Sequence, residues 1–438
     1  MICRILQLRS ERDWPMLAQL LEGRTDSEES VERQVRDILA DVALRGDEAV
    51  LEYTRRFDCP DLQPPLRLDR EEIMRAAAGV DARDREIIVQ AAANIRSFHE
   101  AQRERSWFMH MPDGSILGQQ STPVDRVGLY VPGGQGGETP LFSSLLMSAI
   151  PAQVAGVREI AVVSPPRRDG SLSPYILAAA HLLDIGEIYR VGGAWAIGAL
   201  SRGTASIAPV DVIAGPGNIW VTTAKRLVQG RVGIDMIAGP SEILILADKS
   251  ANPAWVAADM LSQAEHDALA CAVCITTESD LAEAVLRELE AQCNALPRAL
   301  IARTALEKWG AVVLTPDMDI AVDVCNRIAP EHLELLVREP WTLLPRIRHA
   351  GAVFMGPHSP EAVGDYFAGP NHVLPTMGTA RFASALSVRT FCKNTSIIAA
   401  SPSFAHAYTD SIARLARLEG LEAHARSAEA RRGKKDGH

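Results

Sequence analysis

Between residues 27 and 57, in SEESVERQVRDILADVALRGDEAVLEYTRRF, apolar residues recur three and four positions apart. That spacing predicts helices on either side of Gly46. A second helical stretch runs from about Arg70 to Glu104. At Arg126 the pattern changes. RVGLYVP, EIAVVSP, EIYRVGG and VDVIAGPG are short, apolar, strand-like runs ending in Gly or Pro, and helical patterns such as LFSSLLMSAIPAQVAGV and YILAAAHLLD separate them. This is the alternation of a parallel sheet covered by helices.

The rhythm restarts after AGPSE. ILILAD, ACAVCITT, AVVLTP, HLELLV and GAVFMGP read as strands with a helix between each and the next. Two α/β units meeting near Asp235 to Glu242 are therefore expected. Past Phe382 the pattern is mixed, and SIARLARLEGLEAHARSAEARR predicts a terminal helix interrupted at Gly420.

A length of 438 residues agrees with two or more domains. The net charge of −10 argues against nucleic acid or an anionic membrane as partner, since both call for a basic surface. Only the tail ARRGKKDGH, from Ala430 to His438, gathers basic charge, and it reads as a solvated end. No run approaches the roughly 18 apolar residues of a membrane span. The first residues, MICRILQLRSERDWP, hold no secretory apolar core, so a cytoplasmic location is expected. Seven scattered cysteines fit reduced thiols, and the Cys271/Cys274 pair lies in an apolar strand with no second pair to complete a metal site.

YVPGGQGGETP follows a strand and precedes a helix, where a nucleotide loop would sit. A G-x-G-x-x-G pattern starting at Gly134 would need glycine at position 139, which is threonine. The following strand ends in SPP rather than in an acid suited to a ribose hydroxyl. AGPGNIW repeats the strand–turn–helix layout, with Asn218 placed to cap the helix or to mark an anion site at its positive end. Chemistry-bearing side chains gather in four stretches: LSQAEHD with Gln263 and His266, APEHLELLV with Glu331 and His332, GDYFAGPNHVLP with Asp365 and His372, and RLEGLEAHARS with Glu419 and His424. Gln263 and His266, three apart, would share a helix face. Imidazole, carboxylate and amide oxygen form a mixed set suited to Zn²⁺. The residues alone indicate an α/β enzyme with a candidate metal site.

Taken together, RVGLYVPGG, AGPGN, IDMIAGPSE, DMLSQAEHD, APEHLEL, GDYFAGPNHVLPT and ALSVRTFCK resemble the histidinol dehydrogenase family, in order, from about residue 30 to 425. The resemblance implies a zinc- and NAD-dependent oxidation of L-histidinol, through the aldehyde, to L-histidine. It implies one zinc per subunit, held by Gln263, His266, Asp365 and His424. Glu331 and His332 would be the catalytic pair, His332 as general base and Glu331 activating water. Ser241 and Glu419 would contact substrate together with those six, and Tyr130, Trp195 and Asn218 would lie beside the dinucleotide.

The family's fold is α/β: two Rossmann-like parallel-sheet domains, a helical N-terminal segment, and a small C-terminal helical segment that crosses between subunits of a homodimer with shared active sites. The expected division is 1–25 as the N-terminal segment, 26–124 with 238–380 as the domain carrying zinc and catalytic residues, 125–237 on the dinucleotide side, and 381–438 as the exchanged segment. The 133–144 glycine loop looks longer than the family's usual form, and Trp195 stands where Gln is common, so both bear on cofactor contacts. Met377 and NTSIIAAS also depart from the usual pattern. A related zinc/NAD dehydrogenase of another small alcohol, such as a sulfonated diol, and a zinc hydrolase using Glu331 on a metal-bound water are the competing readings.

Overall fold

The computed structural model describes residues 2–22, 28–133 and 140–432. Most of the long glycine loop (134–139) and the end of the basic tail (433–438) lie outside them. The chain divides into two compact units, Met1–Gln102 with Asp125–Phe391, and Arg103–Val124 with Cys392–His438.

The larger unit contains two all-parallel sheets. In the first, the strands run in spatial order Arg4–Gln7, Ala311–Leu314, Cys271–Thr276, Glu242–Ala247, His332–Leu336, Ala352–Met355. In the second the order is Ile188–Arg190, Glu159–Ser164, Arg126–Tyr130, Val212–Ala214, Gly233–Ile234. Leaving aside the edge strand Arg4–Gln7, both follow one plan. The third, second, first, fourth and fifth strands of each unit lie side by side, so the order in which strands are added reverses between the first and fourth. Crevices outside the carboxyl ends at such a reversal are where α/β sheets take ligands.

Every residue of Glu242–Ala247 and Cys271–Thr276 is buried, as expected of strands covered on both faces. The period of two then sorts their side chains. Ile243, Ile245, Ala272 and Cys274 enter the core on one face of the sheet; Leu244, Leu246, Cys271 and Val273 enter the other. Cys271 and Cys274 therefore point to opposite faces and cannot act as a pair. Burial pushes the Cys274 thiol up to about 12.

All nine strands read from the hydrophobic pattern are present; the two-residue strand Gly233–Ile234 is an addition, and four larger features differ or are added. The strand Arg4–Gln7 joins the first sheet as an edge, pairing parallel with Ala311–Leu314. The stretch from Arg70 divides into helices Arg70–Ala78 and Ala82–Glu100, because Asp81 accepts the Arg83 and Asp84 N–H groups and starts a new helix. After HLELLV only the short helix Pro340–Leu343 and a 3₁₀ turn, Leu344–Arg346, form. The smaller unit is built on an antiparallel sheet, Cys392–Ala399, Ile116–Pro123 and Trp107–His110. Its last strand is exposed at most positions and so carries no apolar alternation. Helices Pro402–Leu418 and Glu422–Glu429 complete that unit, separated at Gly420 as the pattern predicts. No described helix is long and apolar enough to cross a membrane.

A buried ion pair fixes the loop after Val212–Ala214. Lys225 and Asp235 pair with side chains almost fully sealed from solvent. Asp235 accepts the Gly215 N–H at 2.8 Å, and Lys225 donates to the Gly215 carbonyl at 2.9 Å. Both polar groups of Gly215 are thus held by one charged pair. Lys225→Met leaves Asp235 buried and uncompensated, and should lower the unfolding free energy by about 3–5 kcal/mol in denaturant titration; a loss below about 1 kcal/mol would contradict this role.

Candidate active site

The strand His332–Leu336 pairs with Glu242–Ala247 in a register that sets His332 against Ile243. The residues just before these strands, at their amino ends, are Glu331 and Ser241. Glu331 Oε2 accepts the Glu242 N–H at 2.8 Å, and His332 Nδ1 lies 3.0 Å from the Glu242 carbonyl oxygen. A carbonyl can only accept, so Nδ1 carries the proton and Nε2 keeps its lone pair. Nε2 is buried and has no hydrogen-bond partner among the described residues. It lies 3.9 Å from Asp365 Oδ1, while the Glu331 and Glu361 carboxylates each come within 3.7 Å of Nδ1. Burial drives the His332 imidazole down to about 4, helped by the charges of His266 and His372 and opposed by the carbonyl bond. It is neutral at physiological pH.

Gln263 is buried one residue before the end of helix Pro253–Ala264. His266 lies in the turn beyond it, where its N–H reaches the Gln263 carbonyl at 3.2 Å. The pair is therefore brought together by a tightened helix end rather than by a continuous helix face. Asp365 stands on helix Glu361–Tyr366, not in the loop that its Gly/Pro-rich surroundings suggest. His372 is in that loop, with Nδ1 3.0 Å from the Asp365 carbonyl oxygen. Ligand atoms of His266, Glu361 and Asp365 all lie within 4.8 Å of one another.

Glu361 is the member that sequence reasoning missed. The signal available was its position four before Asp365, one turn back on the same helix face. It is buried, and the Gln263 amide, turned so that its nitrogen faces this carboxylate, donates to Oε2 at 2.9 Å. Burial, then the charges of Asp365 and Glu331, raise the Glu361 carboxyl well above its usual range, and burial raises Asp365 to about 7. Behind them, burial and the neighbouring Asp259 push Glu334 up to about 10; its Oε1 accepts the Glu361 N–H at 2.8 Å. Neither Glu361 nor Asp365 has a lysine or arginine partner among the described residues. A carboxylate group short of positive charge, beside an imidazole and an amide, fits a bound divalent cation. Glu419 and His424 belong to the smaller unit, where both are exposed, so the cluster in the larger unit is built without them.

The remaining expected contacts lie in the second sheet. Tyr130 ends its first strand, buried, with its hydroxyl 3.4 Å from the Gly193 N–H. Asn218 caps helix Ile219–Val228 by accepting from Trp220 and Val221 N–H. Between them, Gly215 has φ of +118°, and a Cβ there would lie 2.1 Å from the Tyr130 carbonyl oxygen, so only glycine fits. Trp195 is packed in the core against Tyr53 and Phe57, and its indole N–H donates to Thr54 at 2.9 Å. The carboxyl edge of this sheet meets the amino edge of the first. Thr222 donates to the Ala238 carbonyl at 3.1 Å, three residues before Ser241.

A family model described as histidinol dehydrogenase matches residues 21–432. Histidinol dehydrogenase of Nitratidesulfovibrio vulgaris is 68% identical over 432 residues, covering 98% of this chain and 99% of the relative. That of Bacillus subtilis is 52% identical over 403 residues, covering 92% and 93%. The crystal structure of histidinol dehydrogenase from Elizabethkingia anophelis matches with a TM-score of 0.93 at 35% identity, over 98% of each chain.

With carboxyls raised in this way, cation binding must expel protons. Affinity for a divalent cation should therefore rise with pH through about 7, where Asp365 changes charge. Titration calorimetry in buffers of different ionisation enthalpy should show net proton release near neutral pH; pH-independent affinity without release would contradict the picture.

Proposed function

The chain belongs to the histidinol dehydrogenase family, and on that premise we propose that it oxidises L-histidinol in two NAD-linked steps, through L-histidinaldehyde, to L-histidine in the cytoplasm. The observation that carries the mechanism is the neutral, buried His332 with its Nε2 lone pair aimed into the cation-capable cluster. In this reading Gln263, His266 and Asp365 hold zinc, joined by His424. When bound, zinc supplies orientation of the substrate's imidazole and amine, and NAD supplies the hydride acceptor.

The chain's own residues move the protons. His332 Nε2 takes the hydroxyl proton of the alcohol, a transfer suited to a group already held neutral. Glu331, beside it, accepts a proton from the water that hydrates the aldehyde, and His332 then deprotonates the hydrate for the second oxidation. A thiol-linked route has no support: Cys3, Cys59, Cys271, Cys274, Cys293 and Cys325 are buried, and the cluster of His266, Glu361 and Asp365 includes no cysteine.

Ser241, at the turn into the strand bearing Glu242, would contact substrate beside this cluster. The smaller unit exposes Trp107, Phe108, Ile398, Leu415 and Leu418, and its helices bury only Thr409, Ala413 and Ala425. So much uncovered apolar surface supports a homodimer in which this unit meets a second copy and brings Glu419 and His424 to the partner's site.

His332→Asn should cut alcohol oxidation by roughly 10²- to 10⁴-fold. Glu331→Gln should retain that step while slowing oxidation of supplied histidinaldehyde. Equal loss in both half-reactions for Glu331→Gln would overturn the division of labour. The unaltered protein should form close to two NADH per histidinol consumed. Chelation should abolish turnover while circular dichroism stays unchanged; cooperative unfolding on chelation would instead indicate a structural metal.

A further inference from the structure

After Tyr366 the chain that links the cation-capable cluster to the Glu242 clamp belongs to no helix or strand as far as Met377. Side chains set its path instead. Gly369, at φ of +110°, runs against helix Ala82–Glu100, where an added Cβ would lie 2.7 Å from the Asn94 carbonyl oxygen. Asn94 in turn donates to the Phe367 carbonyl at 2.8 Å. Two residues beyond Gly369 stands Asn371, buried, with every polar atom of its side chain in use. Oδ1 accepts the Val373 N–H at 3.0 Å, and Nδ2 donates to the Met147 carbonyl at 2.6 Å. Nδ2 also lies 3.3 Å from His99 Nε2.

His99 fixes how that amide must face. It is fully buried on helix Ala82–Glu100, with Nδ1 2.8 Å from the Ile95 carbonyl oxygen one turn back. A carbonyl can only accept, so Nδ1 carries the proton and Nε2 accepts the second Nδ2 hydrogen. Burial holds this imidazole below the usual histidine range, which keeps its lone pair available. Turned over, the amide would set its oxygen against both the Met147 carbonyl and the His99 lone pair.

Ser144 and Met147 lie one turn apart on helix Phe142–Ala155, which begins beyond the first strand of the second sheet, on its carboxyl side. Consecutive residues of the loop hold them. His372 gives its Nδ1 proton to the Asp365 carbonyl, so its Nε2, 3.5 Å from Ser144 Oγ, accepts from that hydroxyl. Asn371 takes Met147. We infer that Asn371 is a positioning residue for hydride transfer: its amide pins the loop leaving Asp365 to this helix and so sets the gap between the cation-capable cluster and the dinucleotide edge. Buried itself, it acts through His372 and the helix. The inference rests on the dehydrogenase reading above.

Rapid mixing of the zinc-loaded protein with saturating L-histidinol and NAD⁺ reads the first hydride transfer as NADH absorbance. Asn371→Asp keeps the shape and the acceptor for Val373, but sets an oxygen against the Met147 carbonyl and the His99 lone pair. That variant and Asn371→Ala should slow the first turnover about ten- to a hundredfold, the scale on which misplaced reacting groups lose rate. Their calorimetric affinity for NAD⁺ should stay within about threefold, because the contact serves alignment rather than binding. A folded variant with an unchanged first-turnover rate, whatever its thermal midpoint, overturns the proposal, as does a loss that appears only as weaker NAD⁺ binding. Should neither variant fold, His99→Leu leaves Asn371 in place and takes away one of its acceptors. A slower first turnover there supports the assignment, and an unchanged rate overturns it. Unaltered protein that forms no NADH from histidinol overturns the dehydrogenase reading itself, and this inference with it.

Discussion

The main chain of Glu242 is gripped from two sides: its N–H by the Glu331 carboxylate, its carbonyl by the His332 imidazole. Its own carboxylate accepts the Met377 N–H. This clamp sits at the first residue of the central strand in the first sheet, where the chain arrives from the second. Because a carbonyl occupies Nδ1, the imidazole has one tautomer and one orientation. Because the site is buried, it has one charge. The acid–base properties of the cluster follow from that arrangement, and it depends on strand register rather than on a local turn.

In the proposed reaction the same junction would give two sheets of one plan different tasks. The second presents its carboxyl ends, where Gly215 passes against Tyr130 and the Lys225–Asp235 pair holds the loop in place. The first presents its amino ends, where Glu331 and His332 enter their strand beside Glu242. A ligand bound at one edge lies next to the side chains of the other. In the proposed reaction the hydride would leave the alcohol carbon toward the dinucleotide edge, while the hydroxyl oxygen would give its proton to the imidazole.

Much of the fold was legible along the chain. Strands such as ILILAD and ACAVCITT read clearly because both faces are buried, and the run between their turns is almost wholly apolar. Gly420 broke the last helix as read, because its φ of +78° suits glycine. The antiparallel sheet of the smaller unit was not legible, since Cys392–Ala399 has little buried face to impose a period. In the site, SQAEHD, PEHLEL and GPNHVLPT were recognisable as a set. Glu361 was not, for it is a single acid in an unremarkable helix. Trp195 read as a position beside the cofactor; in the fold its indole N–H is spent on Thr54.

The sequence by itself determined where strands and helices form, which faces they bury, and which residue types are available for chemistry, because all three depend on neighbours a few positions away. Tertiary structure decided which residues meet and in what protonation state. Residues 242, 263, 332, 361 and 365 are brought together by parallel register and helix placement. The pKa of His332 and those of the carboxyls around it follow from burial, a property that no short stretch of chain possesses until the rest has closed over it.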